Sequence, residues 1–68
     1  MTVTVNGKER TLEKEMTLQD FLYAEHYRPE QVAVEHNQVI VPQGEYGTVA
    51  LRQGDVLEIL AFMGGGSC

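Results

Sequence analysis

Residues 2–12, TVTVNGKERTL, decide how the fold begins. Residues 2–5 alternate polar and β-branched apolar side chains, which is typical of a strand with one buried face. Asn6-Gly7 follows, and this pair accepts the positive φ angles of a two-residue type I′ turn. Residues 8–12 carry enough charge for a return strand with one solvated face. We therefore predict an N-terminal β-hairpin.

A short helix is predicted after the hairpin. Thr17 lies three residues before Asp20, so its hydroxyl can accept a hydrogen bond from the first helical turn, where Asp20 also favours the positive end of the helix dipole. Apolar residues then recur at the spacing of one buried helix face, namely at Leu18, Phe21 and Leu22. Arg28-Pro29 stops the segment, because proline disfavours helical geometry in the residue before it. The expected helix runs for about two and a half turns, to Glu25-His26.

Four further strands are predicted from short apolar runs bounded by turn residues. They span residues 32–35, 39–41, 48–51 and 56–63. Between them we expect a turn at His36-Asn37, a loop at residues 43–46 and a turn at residues 53–55. A hairpin, one helix and a last strand that can pair beside the first indicate an α+β domain, with one helix packed across one face of a mixed four- to five-stranded sheet. This is the β-grasp arrangement of ubiquitin-like proteins.

Composition excludes several classes of function. The chain has 68 residues, enough for one small domain. Its net charge is 5 − 10 = −5, without a basic run, which disfavours nucleic-acid binding. No apolar run approaches the roughly 18 residues of a membrane span, and no signal peptide is recognised. The single cysteine, Cys68, favours a reducing, cytoplasmic setting, and with His26 and His36 it makes no metal site. We expect no cofactor.

The final strand presents an unusual outer face. Glu58 is expected to face water, which places Leu57, Ile59 and Ala61 on the helix side and sends Leu60 and Phe62 outward beside Glu58. Two interpretations stay open: scattered surface hydrophobes, which are common, or a docking patch that presents the tail to a partner.

Several short motifs occur in a characteristic order. They are VNG at 5–7, Thr17-Leu18, VIVP at 39–42, Leu51, Gly54-Asp55, LEI at 57–59 and FMGGG at 62–66. This set, which extends over nearly the whole chain, resembles the sulfur carriers of the ThiS/MoaD family. The resemblance implies a carrier and not an enzyme, with a β-grasp domain at residues 1–63 and a flexible glycine-rich tail at residues 64–68.

The resemblance also implies what the tail does. A terminal glycine carboxylate would be adenylated by a ThiF/MoeB-like enzyme, converted to a thiocarboxylate and presented to thiazole synthase (ThiG) for thiamine synthesis. Gly64, Gly65 and Gly66 are expected to form a narrow, pliable stem, because glycine lacks a Cβ and lets the backbone pass close to the walls of another protein's active site. Gly66 is the expected acceptor. Ser67 and Cys68 follow it, so they are expected to form a removable extension.

Other interpretations remain. Some related carriers lose such an extension to a JAMM-type zinc metalloprotease and supply sulfur for homocysteine, methionine or cysteine synthesis. Cys68 could instead carry sulfur as a persulfide, although no basic neighbour is present in the sequence to stabilise its thiolate. A third interpretation, from another class, is a non-catalytic β-grasp interaction module with inert glycines.

Overall fold

The computed structural model describes residues 1–62. Its elements, in chain order, are β1 (Thr2–Val5), β2 (Lys8–Thr11), α1 (Leu18–Ala24), a first 3-10 helix (Pro29–Gln31), β3 (Val32–His36), β4 (Val39–Val41), a second 3-10 helix (Gln43–Thr48) and β5 (Val56–Ala61). The strands form one sheet in the order β2-β1-β5-β3-β4. β1 and β5 run parallel, and the other neighbours are antiparallel. The predicted α+β class, with a mixed sheet and one helix on one face, is confirmed.

The first hairpin and the helix start follow the local sequence as predicted. Asn6 and Gly7 have φ angles of 52° and 84°, so both turn residues are in the left-handed region that a type I′ turn requires. Thr17 caps α1: its hydroxyl accepts from the Asp20 amide, and the Asp20 carboxylate accepts from the Thr17 amide. These two polar pairs fix the entry to the helix.

The helix is shorter than expected and ends at Ala24. His26 has a φ of 67°, and the amides of His26 and Tyr27 donate to the carbonyls of Tyr23 and Leu22. This is a Schellman motif with histidine in the position that usually holds glycine. The helix therefore ends at this motif, before Arg28-Pro29, where the stop was predicted.

Two segments differ from their predicted structure. Residues 43–46 are not an open loop but lie within the second 3-10 helix, which buries Tyr46. Residues 48–51 do not form a sheet strand; they pair with the chain that enters α1, through a single Thr17–Ala50 bridge and a Leu18 amide that donates to the Val49 carbonyl. Leu51 is buried in the core and Val49 packs against it, whereas Thr48 and Ala50 are exposed; this alternation explains the strand-like pattern. The second hairpin also turns one residue later than expected, at Asn37-Gln38.

The core lies between the sheet and α1. Its largest fully buried side chains are Tyr46, Phe21, Leu18, Leu22, Leu57, Val3, Val32 and Val34. The Tyr46 hydroxyl donates to the Val32 carbonyl at 2.9 Å. β4 ends at Val41, before Pro42, and therefore does not extend alongside Val32. Without Tyr46, the Val32 carbonyl would lack a hydrogen-bond partner on the β4 side of β3. Among residues 1–62, no helix has the length and apolar character needed to cross a membrane.

Candidate docking face on the last strand

β5 presents a sharply two-sided pattern. Leu57 and Ile59 are buried against the helix side, whereas Glu58 is exposed and Leu60 and Phe62 keep 69% and 47% of their surface accessible. The predicted outward placement of these three residues is correct. Ala61 is exposed rather than buried, because it lies at the end of the strand, past the residues that pack on the core.

The start of β5 is fixed by a buried carboxylate. Asp55 accepts from Nε2 of His36 at 2.8 Å, from Nδ2 of Asn37 at 3.1 Å and from the Arg52 amide at 2.9 Å. Burial alone raises the pKa of Asp55, but these hydrogen bonds outweigh it and hold the pKa below its ordinary value. Asn37 also accepts from the Val56 amide through its side-chain oxygen. His36, predicted only as a turn residue outside any metal site, is the last residue of β3 and belongs to this network.

In the middle of β5, a side chain forms the backbone hydrogen bonds that a neighbouring strand would otherwise form. β1 pairs with β5 at Val56 and Leu57 and then turns away. The Asn6 side chain takes over: its Oδ1 accepts from the Ile59 amide at 2.7 Å, and its Nδ2 donates to the Ile59 carbonyl at 3.0 Å. The turn residue therefore satisfies both backbone groups of Ile59.

The C-terminal end of β5 is hydrogen-bonded to β3 and to the residue that precedes β3. Val32 pairs with Ala61, and the Phe62 amide donates to the Gln31 carbonyl at 2.9 Å. The backbone is thus hydrogen-bonded up to the last described residue. The outer face of the strand rests on a fixed backbone.

An open groove of about 490 Å³ lies on this outer face. Ala33, Glu35 and Ile40 line it from β3 and β4, and Glu58 and Leu60 line it from β5. Register explains the grouping, since Glu35 lies between Glu58 and Ile40, and Ala33 lies opposite Leu60. Phe62 lies beyond the groove lining. Ala33, Glu35 and Ile40 were not predicted as part of this face, because the alternation along one strand shows which of its side chains share a face but not which strands lie beside it.

The expected tail residues fall outside the described part of the chain. These are Gly64, Gly65 and Gly66, with Ser67 and Cys68 after them. Their roles remain predictions, as does the docking role of Glu58, Leu60 and Phe62. Within residues 1–62, no three histidine, aspartate or glutamate side chains group as metal ligands.

Comparisons with known proteins place the chain in a family. The model of the ThiS family matches residues 3–66. The sulfur carrier protein ThiS of Bacillus subtilis is 38% identical over 63 residues, covering 91% of this chain and 96% of that protein. The crystal structure of the thiamine biosynthesis protein ThiS from Geobacter metallireducens superimposes with a TM-score of 0.82 at 33% identity, covering 97% of this chain and 100% of that one.

A longer relative is also similar. A thiazole synthase of Paramagnetospirillum magneticum is 45% identical over 67 residues, which is 98% of this chain but 21% of the synthase. The chain thus spans about a fifth of the length of the thiazole synthases that it matches. With the family match over residues 3–66 and the near full-length similarity to two ThiS proteins, the chain belongs to the ThiS family.

Proposed function

We propose that this chain is the sulfur carrier for formation of the thiazole of thiamine, with Gly66 as the residue that carries sulfur. One observation carries the proposal: a segment similar to nearly the whole chain occurs inside single polypeptides named thiazole synthase. Covalent linkage keeps a carrier at high effective concentration beside its acceptor enzyme, so such an arrangement favours a common reaction.

The carrier needs a free carboxylate. In the sequence, the Gly66 carboxyl is joined in an amide to Ser67. Hydrolysis of that bond adds one water and releases Ser67-Cys68, which leaves the carboxylate at the end of a glycine stem. The carboxylate oxygen then attacks the α-phosphate of ATP on a ThiF-type enzyme and releases pyrophosphate. Hydrosulfide from the sulfur donor then attacks the acyl carbon of the adenylate and displaces AMP, which gives the thiocarboxylate. The catalysis belongs to the partners, and the carrier contributes recognition and positioning.

The outer face of β5 supports the recognition step. Leu60 and Phe62 are large, apolar and exposed, and Phe62 is the last described residue before the stem. We assign this surface, with Glu58, to docking on the adenylating enzyme. Apolar side chains on a fixed sheet bind at little cost in conformational entropy, which suits a contact that aims a tail into another active site.

Intact-mass measurement tests the proposal. The full chain and a variant ending at Gly66 are incubated with a purified ThiF-type enzyme, ATP and a sulfur donor. We expect the Gly66-ending protein to gain the mass difference of one oxygen replaced by sulfur, and the full chain to remain unchanged until it is cleaved. A thiocarboxylate on full-length protein would contradict the cleavage step, and deletion of Gly65 and Gly66 without loss of activity would favour an inert interaction module.

Two further variants separate the remaining mechanisms. Cys68→Ala leaves sulfur transfer unchanged if Gly66 is the acceptor, and abolishes it if Cys68 carries a persulfide. The Ser67-Cys68 extension favours a second candidate acceptor pathway, in which a JAMM-type metalloprotease frees Gly66 and the sulfur passes to homocysteine, methionine or cysteine synthesis. Supplying the thiocarboxylate form to thiazole synthase distinguishes the two, since only the thiamine carrier supports thiazole formation.

A further inference from the structure

The groove on the outer face combines apolar walls with two carboxylates. Glu35 and Glu58 lie directly opposite each other on the antiparallel strands β3 and β5. Side chains in such a pair have Cβ atoms about 5 Å apart, and like charges there destabilise a sheet. Among residues 1–62 neither carboxylate has an ion-pair partner, since the two ion pairs join Arg10 to Glu25 and His36 to Asp55. The pair is therefore a local cost to the free protein.

Two exposed apolar residues lie beside this pair. Ile40 lies next to Glu35 on β4, and Leu60 lies one step along β5 from Glu58 on the same face. Both are more than two-thirds exposed. The groove therefore offers an apolar surface for a hydrocarbon stem and two acceptors for a cationic head.

We infer that this groove receives an arginine side chain of the docking partner, with its guanidinium bridging Glu35 and Glu58 and its stem along Ile40 and Leu60. A guanidinium presents five donors in a planar fork and can serve two carboxylates at once, which a lysine ammonium does less well. Its hydrocarbon stem packs on apolar surface while the charge stays paired. The inference rests on the proposed docking of a partner on the β5 face and names the chemistry of its contact.

Charge disfavours two other occupants. A second copy that packs on the same face by a two-fold axis brings four carboxylates together, because each copy contributes Glu35 and Glu58. The chain's own residues 63–68 contain no basic side chain, so they offer no cation to the pair. The net charge of −5 also favours a partner with a basic surface, because opposite charges steer the two proteins together.

Binding of the full chain to a purified ThiF-type adenylating enzyme tests the inference. The double variant Glu35→Gln/Glu58→Gln is expected to raise Kd by about 30-fold or more, as expected for loss of a desolvated charge pair. Its Kd should also depend less on salt between about 0.05 and 0.5 M, where exposed charges become screened. Glu13→Gln/Glu45→Gln is the matched control, because it also removes two negative charges, from exposed positions outside the groove, and should leave Kd unchanged.

Unfolding in urea supplies an independent readout. Relief of like-charge repulsion should leave the midpoint of the double variant equal to or above that of the wild type. A lower midpoint would mean that the carboxylates stabilise the sheet, and the inference would be wrong. It would also be wrong if the double variant bound as tightly as the wild type.

Leu60→Asp separates the inference from the proposal on which it rests. If Leu60→Asp weakens binding and the double glutamine variant does not, docking on β5 stands and the arginine contact is refuted. If Leu60→Asp binds like the wild type, the docking face itself is misplaced, and both ideas fail. If both changes weaken binding while the control Glu13→Gln/Glu45→Gln does not, the docking face and the arginine contact are supported together.

Discussion

Replacement of Asn6 by glycine should loosen the middle of β5 without disturbing the hairpin turn. Glycine accepts the φ of 52° that Asn6 adopts, so the turn is retained. The change removes the two hydrogen bonds from the Asn6 side chain to the Ile59 backbone. At about 1 kcal/mol each, their loss costs about 2 kcal/mol of the free energy of unfolding.

This cost is large for a domain of this size. Stabilities of about 0.05–0.15 kcal/mol per residue give roughly 3–10 kcal/mol for such a chain. With a urea dependence of about 1 kcal/mol/M, the midpoint of urea unfolding should fall by about 2 M. Far-UV circular dichroism follows this transition. Hydrogen exchange measured by NMR should show that the Ile59 amide loses protection before its neighbours on β5.

Two variants make the Asn6 experiment decisive. Gln38→Gly changes another hairpin residue with positive φ, 72°, whose side chain makes no hydrogen bond in residues 1–62, and it should cost little. Asn6→Asp keeps the acceptor and replaces the donor by a carboxylate that faces the Ile59 carbonyl. Protonation restores a donor, so the folded-state pKa of the introduced carboxyl is raised. Its favourable contribution is present below the unfolded pKa of about 3.9 and is lost as pH rises through the folded pKa.

The stability gap between Asn6→Asp and the wild type should therefore be widest at neutral pH and should narrow in acid. The reasoning is refuted if Asn6→Gly unfolds within about 0.5 kcal/mol of the wild type and the Ile59 amide stays protected. It is also refuted if Gln38→Gly costs as much as Asn6→Gly, because the effect would then belong to the turn and not to the side-chain pairing.

Three other changes test the supports of the fold. Tyr46→Phe should cost about 1–2 kcal/mol in urea unfolding, because the Val32 carbonyl loses its donor, whereas Tyr23→Phe makes the same chemical change at an exposed site and should cost almost nothing. Since burial raises the pKa of Tyr46, the wild type should lose stability as pH rises past about 10, and Tyr46→Phe should lose less. Because the pKa of Asp55 is lowered, the wild type should lose stability as pH falls below about 4. The variant Asp55→Asn should be less stable than the wild type at pH 7, but its stability should change less in acid. Thermal unfolding measured across this pH range tests both expectations. Thr17→Ala should cost about 1 kcal/mol through loss of the helix cap, measured by the same urea unfolding.

The features predicted correctly are those set by neighbours in the sequence. Asn6-Gly7 fixes a two-residue turn, and Thr17 with Asp20 fixes a helix start, because each uses groups within three residues. The outward placement of Leu60 also follows from alternation along one strand. These features depend on local interactions and not on the order of the strands in the sheet.

The features that escaped prediction depend on which strands meet. Nothing near Glu58 in the sequence indicates that Glu35 lies across from it, since that pairing depends on sheet order and register. The false strand at residues 48–51 has the same origin: its pattern reports burial, but its partner is the chain entering α1 and not a sheet neighbour. Asn6 shows the limit most clearly, because its turn role is local and its pairing with Ile59 spans 53 residues.

Where the neighbouring strands end, other groups form hydrogen bonds with β5 or with the residue before it. These hydrogen bonds link the fold to the proposed carrier function. Asn37 and Asp55 hold its start, the Asn6 amide continues the β1 ladder at Ile59, and the Gln31 carbonyl receives the last described amide. Each contact satisfies a backbone or buried polar group that would otherwise favour local opening. A partner that docks on the outer face of this strand therefore meets side chains whose backbone is already ordered. It need not supply the free energy of ordering that strand, and more of the contact energy is left for placing the residues that follow Phe62.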